Sequence, residues 1–234
     1  MTKSETPSTA GARDEGGGPL RLVVLLSGGG RTLQNLAQEI QLGEIPAVIA
    51  GVISSHPDAY GIERARKLGL PHQTIDSTAF PKDCAFSRAL TDAVDDYEPD
   101  LVVLAGFVRK WTFPARYQGR VMNIHPALLP AFGGKGFYGP RVHSAVIEAG
   151  VKFSGCTVHF ADLDYDTGPI ILQRVVPIEP NDTPDTLADR VFKEECLAYL
   201  EAIRLFAEGR IEIQNGRVVI GGFAAGRSQD GLLK

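Results

Sequence analysis

The chain has few of the features that mark secreted, membrane or disulfide-rich proteins. Among its 234 residues are only three cysteines, Cys84, Cys156 and Cys196, and no Cys-x-x-Cys pair. Because they are odd in number and far apart, they exclude a disulfide framework and favour small, reduced core residues of a cytoplasmic protein. The sequence also has no apolar run of membrane-spanning length and no signal-like segment at its N-terminus. We therefore expect no contact with a membrane.

Strong charge of one sign is also missing. The 24 basic and 28 acidic residues are interspersed and give a formal net charge of −4. Because a nucleic-acid interface needs clustered Lys and Arg, we expect no nucleic-acid partner. His125, His159 and Asp166 could in principle bind a metal, but no His-x-x-x-His or His/Cys cluster supports such a site. We predict no metal.

Between residues 21 and 220, strand-like apolar runs alternate with helix-like segments. The predicted strands are 21–26, 47–54, 72–75, 101–105 and 121–124, and the predicted helices are 32–41, 60–68 and 83–97. A further strand pair, 156–161 and 170–176, precedes a long helix from Pro184 to Glu208. This alternation is typical of an α/β fold with a doubly wound, mostly parallel sheet, here followed by a C-terminal strand pair and long helix.

The two ends of the chain differ from this central region. Residues 1–20 are polar and glycine-rich, and they cannot bury enough apolar surface to offset their ordering entropy. We expect a disordered leader there, a single domain over 21–220, and a flexible tail over 221–234.

Asn123 and His125 are the first candidates for chemistry. They follow an apolar run and lie two positions apart, so that both side chains project from the same face of a strand. An amide donor beside an imidazole suits a reaction that develops negative charge on an oxygen. The alternative is a hydrogen-bonded polar pair in the core.

Three further segments could complete a ligand site. The loop of Gly28, Gly29 and Gly30, with Arg31 and Thr32, connects a strand to a helix and could bind a phosphate, although it could also be a structural turn. Asp166 lies on a predicted turn and could raise the pKa of His125, although aspartate is common in turns for structural reasons. Glu195 falls within the apolar stripe of the long helix, where it could meet a substrate ammonium or a structural arginine. His159 could equally be a core histidine.

Taken together, these motifs resemble the phosphoribosylglycinamide formyltransferase family, the folate-dependent enzymes of purine synthesis. The resemblance covers roughly residues 21–215, and its main motifs are Asn-x-His-Pro at 123–126 and Asp-x-Gly-Pro at 166–169. It implies a Rossmann-like formyltransferase fold and formyl transfer from 10-formyltetrahydrofolate to the amine of 5'-phosphoribosylglycinamide. The partners that it implies are small molecules, a phosphorylated amine and a reduced folate, and we expect a monomer or homodimer.

The resemblance also implies roles for individual residues. The implied catalytic residues are Asn123, His125 and Asp166. The implied acceptor site comprises Gly30, Arg31, Thr32 and Glu195. The implied folate site comprises Val108, Arg109, Lys110, Trp111 and Asn123, largely through backbone groups.

Some positions depart from the family pattern. Arg31 and Thr32 replace the common Ser-Asn, and Phe192 replaces a polar residue at the phosphate side. We therefore hypothesise that Arg31 supplies the charge that position 192 lacks. The segment 131–143 is longer than usual, and we expect a mobile lid there.

Other functions remain open at this point. The same scaffold could hydrolyse formyltetrahydrofolate or formylate another amine, such as an amino sugar. A non-catalytic module that binds folate or a nucleotide is the alternative from another class. Dinucleotide-dependent redox chemistry is disfavoured because the GxGxxG motif is missing.

Overall fold

The structure is a computed structural model and describes residues 18–221. Positions 1–17 of the predicted leader and positions 222–234 of the predicted tail lie outside the described residues. Leu20 is buried and already belongs to the first strand, which therefore begins one residue before the predicted domain boundary.

A seven-stranded sheet forms the centre of the protein, in the order β3-β2-β1-β4-β5-β6-β7. The first five of these strands run parallel, whereas β6 pairs antiparallel with both β5 and β7. The strands are β1 (Leu20–Leu26), β2 (Ala47–Ser54), β3 (His72–Thr74), β4 (Leu101–Leu104), β5 (Val121–His125), β6 (Phe153–Phe160) and β7 (Ile170–Pro177). This arrangement confirms the predicted mostly parallel sheet with an antiparallel strand pair.

Helices cover both faces of the sheet. They are α1 (Arg31–Gln41), α2 (Tyr60–Lys67), α3 (Asp83–Asp95), α4 (Pro140–Glu148) and α5 (Pro184–Ala207). Along β1, Leu22 and Val24 belong to a hydrophobic cluster that contains residues of α1, α2, α4 and α5. Val23 and Leu25 belong to a second cluster, together with residues of α3. Both faces of β1 are therefore buried, which explains its continuous apolar sequence.

One helix and one hairpin were not predicted. Helix α4 begins at Pro140, so the last four residues of the predicted loop 131–143 are helical; proline is favoured at a first helical position because its ring presets φ. A hairpin of β8 (Ile211–Gln214) and β9 (Arg217–Ile220) follows α5. Its two turn residues, Asn215 and Gly216, both have positive φ, and Asn-Gly is a strong hairpin signal.

The cysteines lie only partly as expected. Cys156 is buried in β6 and Cys196 is half-buried, but Cys84 is exposed at the start of α3 and so is not a core residue. All three are free thiols.

The long helix α5 connects the core to the ends of two strands. Thr183 caps its N-terminus, because its side chain accepts a hydrogen bond from the Thr186 amide and its own amide donates to the Thr186 hydroxyl. Farther along, the buried Tyr199 hydroxyl lies 3.1 Å from the Leu104 carbonyl and 2.8 Å from the Met122 carbonyl. One side chain of α5 thus joins β4 to β5 immediately before the residues that border the cleft described below.

We predict that Tyr199→Phe lowers the free energy of unfolding by about 1–2 kcal/mol, because two buried carbonyls lose their shared donor. Chemical denaturation of the purified variant measures this change. Tyr60→Phe is the matched control: Tyr60 is exposed, and its variant should stay within about 0.5 kcal/mol of the parent. Equal stability of the Tyr199 variant and the parent would contradict the structural role of this hydroxyl.

Candidate active site

A cleft of about 950 Å³ lies at the carboxyl ends of the parallel strands. This is where ligands bind in open α/β sheets. The loops after β1, β4 and β5, the turn before β7 and one face of α5 all contribute to its walls. Predicted site residues that line it are Gly30, Arg31, Thr32, Val108, Arg109, Lys110, Asn123, His125, Asp166 and Glu195.

The three predicted catalytic residues meet at one carboxylate. Oδ2 of Asp166 lies 3.5 Å from Nδ1 of His125, and Oδ1 lies 3.4 Å from Nδ2 of Asn123. Asn123 and His125 therefore project from the same face of β5, as their spacing predicted. Both His125 and Asp166 are nearly buried. The structure thus brings together side chains that are separated by more than forty positions in the sequence.

Backbone geometry holds Asp166 in this position. Its φ of 58° lies in the left-handed region, which aspartate tolerates better than most residues. The Gly134 amide donates a hydrogen bond to Oδ2 at 2.9 Å. Burial alone would raise the pKa of Asp166, but His159, His125 and the Gly134 amide favour the anion and lower the pKa below its ordinary value. Asp166 is therefore a carboxylate at neutral pH.

The charge of His125 differs from the sequence-based expectation. We expected Asp166 to raise the pKa of His125 and keep it cationic. Asp166 and the Phe132 carbonyl do act in that direction, but burial acts in the opposite direction and is the larger effect, so the pKa of His125 lies below its ordinary value. The unliganded imidazole is therefore neutral at pH 7. Its proton resides on Nε2, which donates to the Phe132 carbonyl at 2.8 Å.

A second histidine, His159, belongs to the same group of side chains. Its Nδ1 donates to its neighbour's carbonyl, that of Phe160, at 2.8 Å, which leaves Nε2 free to accept a hydrogen bond from Nδ2 of Asn123 at 3.1 Å. His159 pairs directly with Asn123 across β5 and β6 and lines the cleft. The sequence left its role open, because alternation along β6 is equally compatible with a core position.

The glycine loop and the start of α1 form one end of the cleft. Gly30 has a left-handed φ of 71° and caps α1, and its Cβ position lies 2.7 Å from the Gly61 backbone, so a larger residue would clash. No side chain caps this helix end, which leaves its first amides available to a ligand. The guanidinium of Arg31 lies 3.9 Å from the centroid of the Phe192 ring and 3.2 Å from Asp189.

Glu195 faces the cleft from α5. It is half-buried, and within residues 18–221 its carboxyl makes no hydrogen bond or ion pair. Burial raises its pKa to about 7, and Arg31 opposes this shift. Glu195 can therefore exchange a proton near neutral pH, or can bind a cationic or hydroxyl group of a ligand.

The predicted folate segment is divided between the cleft and the core. Val108, Arg109 and Lys110 line the cleft and also a connected outer pocket of about 640 Å³. Trp111 does not line either one. Its side chain is buried in the second hydrophobic cluster, and its Nε1 donates to Thr91 at 3.0 Å. The Trp111 side chain therefore packs in the core below the loop, and a contact of its backbone with folate stays a prediction.

Comparison with known proteins identifies the family. A formyl transferase family profile matches residues 20–203. The chain belongs to this family. The phosphoribosylglycinamide formyltransferase of Escherichia coli (strain K12) is 37% identical over 205 residues, which cover 87% of this chain and 94% of that protein. The chloroplastic phosphoribosylglycinamide formyltransferase of Vigna unguiculata is 38% identical over 82% of this chain, which spans 62% of that longer protein.

Solved structures agree with this assignment. Glycinamide ribonucleotide transformylase 1 from Symbiobacterium toebii superposes on this formyl transferase with a TM-score of 0.82 at 43% sequence identity. The superposition covers 91% of this chain and 100% of that one. The family and fold predicted from the sequence are therefore confirmed. In the part of the formyl transferase that the structure describes, no helix is long and apolar enough to cross a membrane, and no group of three or more His, Cys, Asp or Glu side chains could hold a metal ion.

The pKa of Glu195 predicts a pH dependence of stability. An unfolded glutamate has its ordinary pKa of 4.5, so the folded formyl transferase binds more protons than the unfolded chain between pH 4.5 and about 7. The free energy of unfolding should therefore fall as the pH rises through this window. Glu195→Gln lacks this proton, so its stability should match that of the parent near pH 5 and exceed it by about 1–2 kcal/mol at pH 8, after discounting for solvent in the cleft.

Urea denaturation at both pH values measures this difference. Glu148→Gln serves as the control, since Glu148 is an exposed glutamate at the end of α4, outside the cleft. A Glu195 variant whose stability relative to the parent is the same at pH 5 and pH 8 would contradict the raised pKa.

Proposed function

We propose that this formyl transferase moves the formyl group of 10-formyltetrahydrofolate onto the amine of 5'-phosphoribosylglycinamide, a step of de novo purine biosynthesis. The observation that carries this proposal is the meeting of Asn123, His125 and Asp166 on the floor of a single cleft. An amide, an imidazole and a carboxylate supply a hydrogen-bond donor, a proton carrier and a fixed negative charge. The names of the relatives support this acceptor and the transfer of a formyl group.

The phosphate of the acceptor belongs at the start of α1 in this proposal. Arg31 supplies a guanidinium, and Gly30 and Thr32 lie beside it on the cleft wall. The Phe192 ring lies against the guanidinium, which supports our hypothesis that Arg31 supplies the charge that position 192 lacks, since the ring holds that charge at the cleft wall. Glu195 lies on the same side and is placed to contact the amine or a hydroxyl of the acceptor.

The reduced folate belongs at the opposite end of the cleft, beside Val108, Arg109 and Lys110. The backbone of this segment is held by the Val108 amide, which donates to the Ser27 hydroxyl at 3.1 Å. The Ser27 hydroxyl also shares a hydrogen bond of 2.6 Å with Ser55. The loops after β1, β2 and β4 are therefore tied together, which gives a planar ring a fixed wall to bind against.

Formyl transfer then proceeds by addition and elimination. The acceptor nitrogen attacks the formyl carbon, the C–N bond forms and the carbonyl oxygen takes the negative charge. His125 and Asn123 stabilise this oxyanion by hydrogen bonding. The negative charge would raise the pKa of His125 and so counteract the effect of burial. Collapse of the intermediate breaks the bond to N10 of folate, and the proton lost by the amine passes to N10 with the help of Asp166 and His125.

The loop between β5 and α4 contacts the catalytic group directly. The Phe132 carbonyl accepts the hydrogen bond of His125, and the Gly134 amide donates to Asp166. We propose that residues 131–139 form the lid that covers the bound substrates, a shorter segment than the predicted 131–143 because α4 begins at Pro140. For Nε2 of His125 to reach the oxyanion, the Phe132 carbonyl must first move away.

The proposed function is tested by incubating the purified protein with 10-formyltetrahydrofolate and separate amines. Absorbance reports the release of tetrahydrofolate. Rapid release with 5'-phosphoribosylglycinamide, and not with amino sugars or without an amine, is the expected result. Release without any amine would indicate a hydrolase, release with an amino sugar would indicate another acceptor, and binding without release would indicate a non-catalytic module.

We predict that His125→Ala lowers turnover by roughly a hundred- to a thousand-fold, the usual cost of losing one donor to an oxyanion. Steady-state kinetics at saturating substrates measure this loss. His72→Ala is the matched control, since His72 lies in the edge strand β3 outside the cleft, and its turnover should be unchanged. Full activity of a folded His125 variant would remove this residue from the mechanism.

We also predict that Arg31→Ala raises the dissociation constant of ribose 5-phosphate by about ten- to a hundred-fold, because a charge-assisted hydrogen bond is lost. Calorimetry measures this constant directly and needs no turnover. The dissociation constant of tetrahydrofolate should not change. If ribose 5-phosphate binds equally well to both proteins, Arg31 does not bind the phosphate.

A further inference from the structure

One buried histidine of the cleft has no part in the function proposed above. His143 lies in the first turns of α4, is only 5% exposed and lines the same cleft as His125. Burying a histidine without hydrogen bonds is energetically unfavourable, because both ring nitrogens are polar. Its place in the cleft therefore calls for an explanation beyond packing.

The two ring nitrogens of His143 lie in different surroundings. Nδ1 is sealed from solvent and has no hydrogen-bond partner within residues 18–221. Nε2 also has no partner among these residues, but it is not among the sealed atoms, so it retains contact with the open cleft. A buried N–H without an acceptor is rarer in proteins than a buried lone pair without a donor. The ring proton therefore resides on Nε2, where it points to any ligand in the cleft.

Helix α4 packs against α5, and this packing places His143 on the side of the cleft that α5 lines. Val142 and Val146, on either side of His143, belong to the hydrophobic cluster that contains residues of α1 and α5. Arg31 begins α1, and α5 carries Phe192 and Glu195. The outer pocket beside the folate segment is completed by residues of α3, of the turn before β7 and by Lys135 of the loop after β5, and no residue of α4 or α5 lines it.

We propose that Nε2–H of His143 donates a hydrogen bond to an oxygen of the phosphoribosyl group of the acceptor. His143 would then be a substrate-binding residue. The inference rests on the proposed function for the identity of the acceptor. Burial and the nearby His125 both lower the pKa of His143, so it acts as a neutral donor and not as a second cation. A hydroxyl or phosphate oxygen of the sugar phosphate is the matching partner.

Three substitutions of His143 separate binding from packing. His143→Ala removes both nitrogens, and the KM for the acceptor should rise about tenfold, the usual effect of one lost hydrogen bond, while the KM for the folate and kcat change little. His143→Gln places an amide nitrogen near the position of Nε2 and should restore most of the acceptor affinity. His143→Asn places its amide nearer to Nδ1 and should behave like the alanine variant.

A purely structural His143 predicts different results. In that case glutamine would not rescue acceptor binding, and the three variants would change the KM values of both substrates, or kcat, in proportion to their loss of stability. Either pattern would overturn the proposal. Thermal denaturation of each variant provides the stability values for this comparison.

A binding measurement on the unmodified protein keeps the test independent of folding and of turnover. The protein is labelled with ¹⁵N-histidine, and the Nε2 resonance of His143 is identified by its loss in His143→Gln. Ribose 5-phosphate should shift this resonance, whereas tetrahydrofolate should not. A resonance that does not respond to ribose 5-phosphate, or responds only to folate, overturns the inference. A shift in a protein that fails to formylate 5'-phosphoribosylglycinamide overturns the proposed function alone.

Discussion

The buried carboxylate of Asp166 is the constraint on which the rest of the site depends. A buried carboxylate is unfavourable unless several donors surround it. Here the polar groups come from separate parts of the chain: the Asn123 side chain of β5 and the Gly134 amide of the loop after β5 donate hydrogen bonds to it, and the imidazoles of His125 from β5 and His159 from β6 lie within 3.6 Å. Holding one charge therefore requires that the parallel sheet, its antiparallel extension and the covering loop pack together.

Helices cover the two faces of the sheet unequally, and this determines where each substrate of the proposed function can bind. Four helices pack on one face. Among them, α1 carries Arg31 and α5 carries Glu195, and both residues line the cleft. The other face is covered by α3 and by the segment after β4, whose Trp111 anchors the folate-side loop from below. In the proposed function, the two substrates would therefore reach the His125 imidazole from these two sides of the cleft.

Local patterns in the sequence were sufficient for the seven-stranded sheet, for helices α1, α2, α3 and α5, and for the pairing of Asn123 with His125, because alternation and apolar runs depend only on neighbouring residues. The neutral state of His125 could not be predicted, since it is decided by burial that no short motif encodes. The core position of the Trp111 side chain could not be predicted either, because an expected backbone contact of a loop says nothing about the direction of its side chain. The Asn215–Gly216 turn, in contrast, is a hairpin signal that is present in the sequence itself.

The pairing of Arg31 with Asp189 also bears on how the product leaves. A phosphate that binds the Arg31 guanidinium displaces the Asp189 carboxylate. One anion then replaces another, so the guanidinium always has an anionic partner. This exchange weakens affinity, but it also means that Asp189 competes for the guanidinium as soon as the phosphate loosens. In the proposed function, Asp189 would therefore favour departure of the formylated sugar phosphate, because it is a tethered competitor that cannot diffuse away.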